Sequence, residues 1–132
     1  MILILDTSAA IETAMNRPKS IEIKEWITNS DWIAAPDLFV SEATNVYWKY
    51  HTFHDMEIET CEQLNALTIE LVDGFISAKE LYREAFALSC QLGYSVYDCL
   101  YLVLARRNNA YLATIDKKMK KAARQLNIKV TA

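Results

Sequence analysis

Two aspartates stand directly behind short apolar runs, one near each end of the chain. Asp6 follows the run in "MILILD", and Asp116 follows the run in "AYLATID". Runs of this length are typical of buried strands. Each aspartate also has a hydroxyl side chain close by, Ser8 in the first case and Thr114 in the second. The pattern indicates either two helix caps or two parts of one site.

Two further acids are expected at the same edge of the predicted sheet. Glu42 in "FVSEATNVYW" and Asp98 in "YSVYDCLYL" lie near the N-terminal ends of predicted helices, and in parallel sheets these ends share an edge with the carboxyl ends of the strands. Four carboxylates there would repel one another, with coupled protonation, unless a cation lay between them. Mg²⁺ or Mn²⁺ prefers such oxygen ligands together with water and a substrate phosphate. The expected chemistry is metal-assisted hydrolysis of a phosphodiester, with a polarised phosphate and a water of lowered pKa.

Each acid taken singly also has a structural explanation. Asp6 and Asp116 could cap the helices that follow them. The spacing Ser95-x-x-Asp98 is that of a capping box, and Glu42 could lie at the boundary of the core. The joint placement of all four acids favours a site, whereas no single position decides it.

Basic residues gather near the C-terminal end of a chain whose net charge is −3. Residues 106–129 hold 8 of the 14 lysines and arginines, and their only acid is Asp116. Within the last predicted helix, four basic residues recur at spacings of three and four and can form one stripe: Lys117, Lys120, Lys121 and Arg124. Such a stripe is either a solvated helix face or a surface that binds the phosphates of a nucleic acid.

Apolar segments that alternate with amphipathic ones predict an α/β fold with a parallel sheet. Five segments are expected to be strands: Ile2–Leu5, Trp32–Ala35, Thr68–Val72, Tyr111–Thr114 and, more weakly, Ile128–Val130. Helices are expected after the first strand, in "KSIEIKEWITNS", from Pro36-Asp37, over Met56–Leu67, from Ser77 to Gly93, from Ser95 and in "DKKMKKAARQLN".

The composition predicts a single globular domain over residues 1–132, with 52% apolar and 23% charged residues. Two glycines and two prolines leave room for short turns only. The apolar start is too short for a signal peptide, and the run Cys99–Ala105 is far below the roughly 20 residues of a membrane span. Three cysteines without C-x-x-C spacing indicate reduced thiols and a cytoplasmic protein without contact to a membrane.

The acidic motifs together resemble those of the PIN domain, and within it the VapC toxins of toxin–antitoxin pairs. The resemblance rests on Asp6-Thr7-Ser8, Glu42, Ser95-Val96-Tyr97-Asp98 and Thr114-Ile115-Asp116, in that order, and covers almost the whole chain. It implies a three-layer domain with a short central parallel sheet flanked by helices. It also implies a Mg²⁺- or Mn²⁺-dependent endoribonuclease that forms a homodimer and is silenced by a small cognate antitoxin.

Residue roles follow from the same resemblance. Four acids would form the catalytic and metal-binding site, namely Asp6, Glu42, Asp98 and Asp116, and the hydroxyls of Ser8 and Thr114 would support them. Two positions depart from the pattern of many relatives. Cys99 stands where an alanine is common, and Lys117-Lys118-Met119 stands where some relatives carry another acid. The second departure puts a second metal position in doubt.

Other functions explain parts of the same pattern. A phosphatase of the haloacid dehalogenase type needs a second aspartate where this chain has Ser8. A phosphoacceptor signalling module of flavodoxin-like fold needs an acceptor aspartate after the third strand, a place that Asp73 could fill, but also an acidic pair after the first. A PIN-fold protein that binds RNA or a partner without cutting is the third alternative.

One segment is richer in aromatic and histidine residues than a single buried helix face requires. Tyr47, Trp48, Tyr50 and Phe53 belong either to the core or to a dimer or antitoxin surface, with the helix around Trp26 as a second candidate. His51 and His54 could ligate a metal, but the chain has no other histidine to complete such a site. A polar helix end is the expected role of this pair.

Overall fold

The strand order of the sheet determines where a ligand site can form. A computed structural model of the chain describes residues 1–131, whose strands are β1 (Ile2–Leu5), β2 (Trp32–Pro36), β3 (Gly74–Ile76), β4 (Tyr111–Ala113) and β5 (Lys129–Val130). All neighbours are parallel, in the order β3-β2-β1-β4-β5. The chain therefore builds outward on one side of β1 and then changes to the other side. The order reverses between β1 and β4, and open α/β sheets bind ligands outside the carboxyl ends of the strands at such a point.

Helices connect and cover the strands. In residues 1–131 they are α1 (Thr7–Ala14), α2 (Ser20–Thr28), α3 (Leu38–His54), α4 (Ile58–Glu70), α5 (Ala78–Leu92), α6 (Val96–Arg107) and α7 (Lys117–Gln125). Helix α6 packs on β1, β2 and β4 and pairs with α5, whereas α3 contacts β2 and pairs with α4. The predicted fold class, a short parallel sheet flanked by helices, is confirmed.

Helix α6 lies against the middle of the sheet and contains a long run of buried residues. All residues from Cys99 to Ala105 are buried, in keeping with a core helix that is apolar all round. Within residues 1–131, no helix combines the length and the apolarity that crossing a membrane requires.

The ends of α5 and α6 follow their local sequence signals. Ser77 accepts a hydrogen bond from the Lys79 backbone N–H at 3.2 Å, and Ser95 accepts one from the Asp98 N–H at 3.2 Å. Gly93 ends α5 with φ of 77°, a left-handed conformation that glycine adopts without steric cost. The expected start at Ser77, stop at Gly93 and start at Ser95 are confirmed.

The third strand was predicted in the wrong place. Thr68–Val72 is not a strand, since α4 continues to Glu70 and β3 begins only at Gly74. The β-branched run resembles a strand, but it continues the helical spacing of Cys61 and Leu64. Thr68 satisfies its hydroxyl within the helix, donating to the Leu64 carbonyl at 2.6 Å and lying 2.8 Å from the Tyr47 hydroxyl. Tertiary packing therefore overrides local strand propensity here.

Two histidines mark the C-terminal end of α3. His51 and His54 are exposed in its last turn, and His51 Nδ1 lies 2.8 Å from the Met56 carbonyl oxygen. These contacts agree with the expected polar helix end.

Candidate active site

The site begins where β1 and β4 end side by side. Leu5 pairs with Ala113, and the Asp6 backbone N–H donates to the Ala113 carbonyl at 3.1 Å. The residues that follow the two strands therefore face each other across the point of order reversal. Asp6 is only 4% exposed there, whereas Asp116 is exposed to solvent.

Asp6 both caps a helix and lies at the centre of a hydrogen-bond network. Its Oδ1 accepts from the Ala9 backbone N–H at 3.0 Å, which caps α1, and from the Ser8 hydroxyl at 2.7 Å. Its Oδ2 accepts from the Thr114 hydroxyl. The helix cap, one of the two roles that the sequence presents for Asp6, is therefore observed, and the same carboxylate also joins the hydrogen-bond network.

Burial makes the Asp6 anion costly. The pKa of Asp6 is raised from 3.8 to about 6, mainly because burial desolvates the carboxylate and to a smaller extent because of the nearby Asp116 charge. The hydrogen bonds from Thr114, Ala9 and Ser8 act in the opposite direction without cancelling the effect of burial. A bound cation would remove most of this cost.

The two hydroxyls tie the first and last acids together. Thr114 donates to Asp6 and accepts from the Asp116 backbone N–H at 3.0 Å. Ser8 accepts from the Ile115 backbone N–H at 3.3 Å and lies 3.4 Å from the Thr114 hydroxyl. Ser8 and Thr114 therefore hold β1 and β4 in register just beyond the sheet.

Asp116 also acts as a helix cap. Its Oδ1 accepts from the backbone N–H groups of Lys118, at 2.9 Å, and Met119, at 3.4 Å, at the start of α7. These bonds orient the carboxylate beside Asp6.

Glu42 reaches the same region from α3 and is held by two hydroxyls that sequence reasoning missed. Its Oε1 accepts from Thr7 at 3.0 Å and from Tyr101 at 2.7 Å. Weak sequence signals existed for both. Thr7 directly follows Asp6, and Tyr101 lies three positions after Asp98 and so on the same face of α6.

Asp98 lies in the first turn of α6 and is half-buried. Burial raises its pKa, the Lys118 charge and the Ser95 hydrogen bond lower it, and the Asp116 charge raises it. Because the charges of Lys118 and Asp116 both act on it, Asp98 lies near the start of α7. All four acids thus lie at the carboxyl edge of the sheet, where they were expected.

The donor set fits a hard divalent cation in its chemistry. In residues 1–131 no group of three acidic, histidine or cysteine side chains stands close enough to hold a metal ion unaided. Mg²⁺ does not need such a cage, because it keeps several waters and binds through one or two carboxylates plus substrate phosphate. Asp6 and Asp116, adjacent and carboxylate in type, are the residues that suit this mode.

The basic helix α7 begins directly after Asp116. Met119, Ala122 and Ala123 bury one face of it, and the opposite side exposes Lys117, Lys121 and Arg124. Lys120 is half-buried at the margin of this stripe. Lys118 lies over the Tyr94 ring, 5.4 Å from its centroid.

The fold is that of a known family. The chain belongs to the PIN domain family, whose model matches residues 3–125. Ribonuclease VapC3 of Pyrobaculum aerophilum is 27% identical over 124 residues, which cover 90% of this chain and 92% of that protein.

Two solved structures share the fold. PAE2754 from Pyrobaculum aerophilum superposes with a TM-score of 0.77 at 16% identity. The superposition covers 98% of this chain and 83% of the PAE2754 chain. VapBC2 from Rickettsia felis, bound to a DNA fragment from its promoter, superposes with a TM-score of 0.68 at 20% identity. The superposition covers 98% of this chain and 97% of that chain. The family resemblance stated from the motifs is confirmed.

Proposed function

We propose that this PIN-domain protein is a Mg²⁺- or Mn²⁺-dependent endoribonuclease and the toxin of a toxin–antitoxin pair. Asp6, Glu42, Asp98 and Asp116 form its catalytic and metal-binding site. The similarity to Ribonuclease VapC3 and to VapBC2 supports this assignment.

The observation that carries the proposal is the buried Asp6 carboxylate. A carboxylate that is 4% exposed, next to a second acid, costs stability without giving the fold anything a neutral cap would not give. Asparagine caps helices about as well as aspartate. The negative charge is therefore explained by a cation that it binds.

The side chains of the proposed site have different roles. Asp6 and Asp116 supply ligand oxygens on either side of the β1–β4 junction, and Glu42 and Asp98 supply further carboxylate oxygens from α3 and α6. Ser8 and Thr114 keep the Asp6 carboxylate oriented by donating to its two oxygens. A divalent cation bound there would polarise the scissile phosphate and lower the pKa of the attacking water.

The test of the reaction class is cleavage of RNA by the purified chain. In Mg²⁺ or Mn²⁺ we expect single-stranded RNA to be cut internally, and with excess EDTA we expect no cleavage. Binding of RNA without cleavage in either metal would instead favour a non-catalytic PIN-fold protein. Equal cleavage with and without EDTA would exclude the metal-dependent mechanism.

We further propose that the exposed stripe of α7 binds RNA phosphates, together with its half-buried neighbour Lys120. Replacing Lys117, Lys121 and Arg124 with glutamate should weaken RNA binding for all sequences alike. The dependence of log Kd on log salt should also flatten, by about 0.7 for each phosphate of a single strand that the variant no longer neutralises. Fluorescence anisotropy at several salt concentrations measures both effects.

A matched variant controls for the change in net charge. Lys24, Lys49 and Arg83 are exposed on α2, α3 and α5, and their replacement with glutamate changes the charge by the same amount. This control should bind RNA much more tightly than the α7 variant. If the two variants bind RNA equally with equal salt slopes, the stripe of α7 is only a solvated face.

We also propose two protein partners, a second copy of the chain and a small cognate antitoxin. Trp48 is 54% exposed and Phe53 66% exposed, and their rings pack edge to face at 5.8 Å on α3. By contrast, Trp26 already packs on Tyr111 at 4.9 Å, which makes α3 the better candidate surface. Light scattering at micromolar concentration should give the mass of a dimer, and a single-chain mass would contradict the first of these partners.

The phosphoacceptor alternative loses the residue on which it rested. Because β3 begins at Gly74, Asp73 precedes that strand instead of following it. Its Oδ2 accepts from the Ile33 backbone N–H at 2.9 Å, near the amino-terminal side of the sheet. Asp73 therefore lies at the opposite edge from Asp6.

A further inference from the structure

Three side chains from three different helices form a closed triangle beside the candidate active site. Tyr101 of α6 donates to Glu42 Oε1 at 2.7 Å, and Thr7 of α1 donates to the same oxygen at 3.0 Å. The Tyr101 and Thr7 hydroxyl oxygens are themselves 3.0 Å apart. One oxygen of Glu42 thus receives both donors.

Within residues 1–131, only one of the two Glu42 carboxylate oxygens takes part in hydrogen bonds. Among residues 1–131, none donates a hydrogen bond to Oε2. A carboxylate fixed through one oxygen cannot turn easily, because rotation would break two hydrogen bonds at once. Its second oxygen then keeps one orientation and is available to a cation.

The packing of Tyr101 in the core does not require its hydroxyl group. Tyr101 is 2% exposed inside the apolar helix α6, where a phenylalanine ring would fill the same space. Its hydroxyl lies within hydrogen-bond distance of Glu42 and Thr7 and of no other polar group in the described part of the chain.

We propose that Tyr101, assisted by Thr7, is a positioning residue that fixes Glu42 as a metal ligand. This inference rests on the proposed metal-dependent function. Groups that hydrogen-bond to a metal ligand typically change metal affinity or activity by about 10–100-fold when they are removed. Tyr101 does not touch the cation or the substrate; it acts through Glu42.

The test compares two tyrosine-to-phenylalanine variants by Mn²⁺ titration calorimetry without RNA. Tyr101→Phe should bind Mn²⁺ about 10–100-fold more weakly than the wild type. With RNA, its kcat at a fixed subsaturating Mn²⁺ concentration should fall while its KM for RNA stays near that of the wild type.

Tyr47→Phe is the matched control. Tyr47 is also buried, and its hydroxyl also lies close to a threonine hydroxyl. That partner is Thr68, at 2.8 Å, in the packing between α3 and α4. This variant should keep the wild-type Mn²⁺ affinity even if its melting temperature falls. Loss of a buried hydroxyl as such is thereby separated from loss of the hydrogen bond to Glu42.

Thr7 provides a second pair of variants should Tyr101→Phe fail to fold. Thr7→Val removes the hydroxyl from the first turn of α1 and should weaken Mn²⁺ binding, whereas Thr7→Ser should recover most of the affinity. Wild-type Mn²⁺ affinity in Tyr101→Phe, or equal affinity in the two Thr7 variants, would overturn the positioning role while leaving the nuclease assignment intact. If the wild type itself neither binds Mn²⁺ nor cleaves RNA with it, the proposed function fails and this inference with it.

Discussion

Asp6→Asn should slow RNA cleavage by at least roughly 100-fold while leaving the fold and RNA binding largely intact. An amide cannot supply the negative charge that holds a divalent cation, whose stabilisation of transition-state charge amounts to several kcal/mol. At about 1.4 kcal/mol for each factor of ten, that loss corresponds to roughly 10²–10⁴ in rate. Initial rates of RNA cleavage in saturating Mg²⁺ measure the effect.

The fold should survive because asparagine keeps the hydrogen bonds of the cap. Its carbonyl oxygen can accept from the Ala9 N–H and from Ser8, as Oδ1 of Asp6 does. Its amide would face Thr114, whose hydroxyl would then turn to accept and direct its proton towards Ser8, 3.4 Å away. Circular dichroism should therefore match that of the wild type.

Asp37→Asn is the matched control for this substitution. Asp37 also follows a strand, β2, and its Oδ1 accepts from a backbone N–H, that of Ala78 at 3.1 Å. Asp37 takes no part in the network around Asp6. The Asp37→Asn variant should therefore cleave RNA at the wild-type rate. Cleavage by Asp6→Asn within a few-fold of the control would show that Asp6 is a cap and not a ligand.

In EDTA, the wild type should lose stability relative to Asp6→Asn as the pH rises from about 4 to about 7. The Asp6 carboxyl has a pKa of about 6 in the folded chain against 3.8 as the ordinary value. Between these values the folded state holds a proton that the unfolded state has released, so stability falls with rising pH. The difference corresponds to an upper value of about 3 kcal/mol, which is almost fully lost by about pH 7, one unit above the folded-state pKa of about 6.

Urea unfolding of both proteins at several pH values isolates this contribution, because the two chains differ in no titratable group except Asp6. Adding Mg²⁺ at pH 7 should restore stability to the wild type alone, by about 2.7 kcal/mol at a concentration of 100 Kd. Parallel stability curves for the two proteins would contradict a costly buried anion at Asp6.

The edge of the sheet at which the four acids lie could be predicted from local sequence. An apolar run that ends on an aspartate places that side chain at the carboxyl end of a buried strand, and parallel strands bring these ends together. Helix starts at Ser77 and Ser95 and the stop at Gly93 could also be predicted, since capping depends on residues within one turn. That these acids are metal ligands stays a prediction.

Features that depend on contacts between distant residues could not be predicted from the sequence. The run Thr68–Val72 has the composition of a strand, yet it ends α4 because Thr68 packs against Tyr47, 21 residues away. The reversal of strand order between β1 and β4 depends on which strands pair, and local periodicity does not encode pairing.

The hydrogen-bond partners and the charge cost of the acids likewise could not be predicted from the sequence. Tyr101 and Glu42 are 59 positions apart, and nothing in either neighbourhood indicates that one donates to the other. The raised pKa of Asp6 follows from burial by several elements at once. Local sequence sets which residues can cap, ligate or donate, whereas packing sets which of them meet and how much water remains around them.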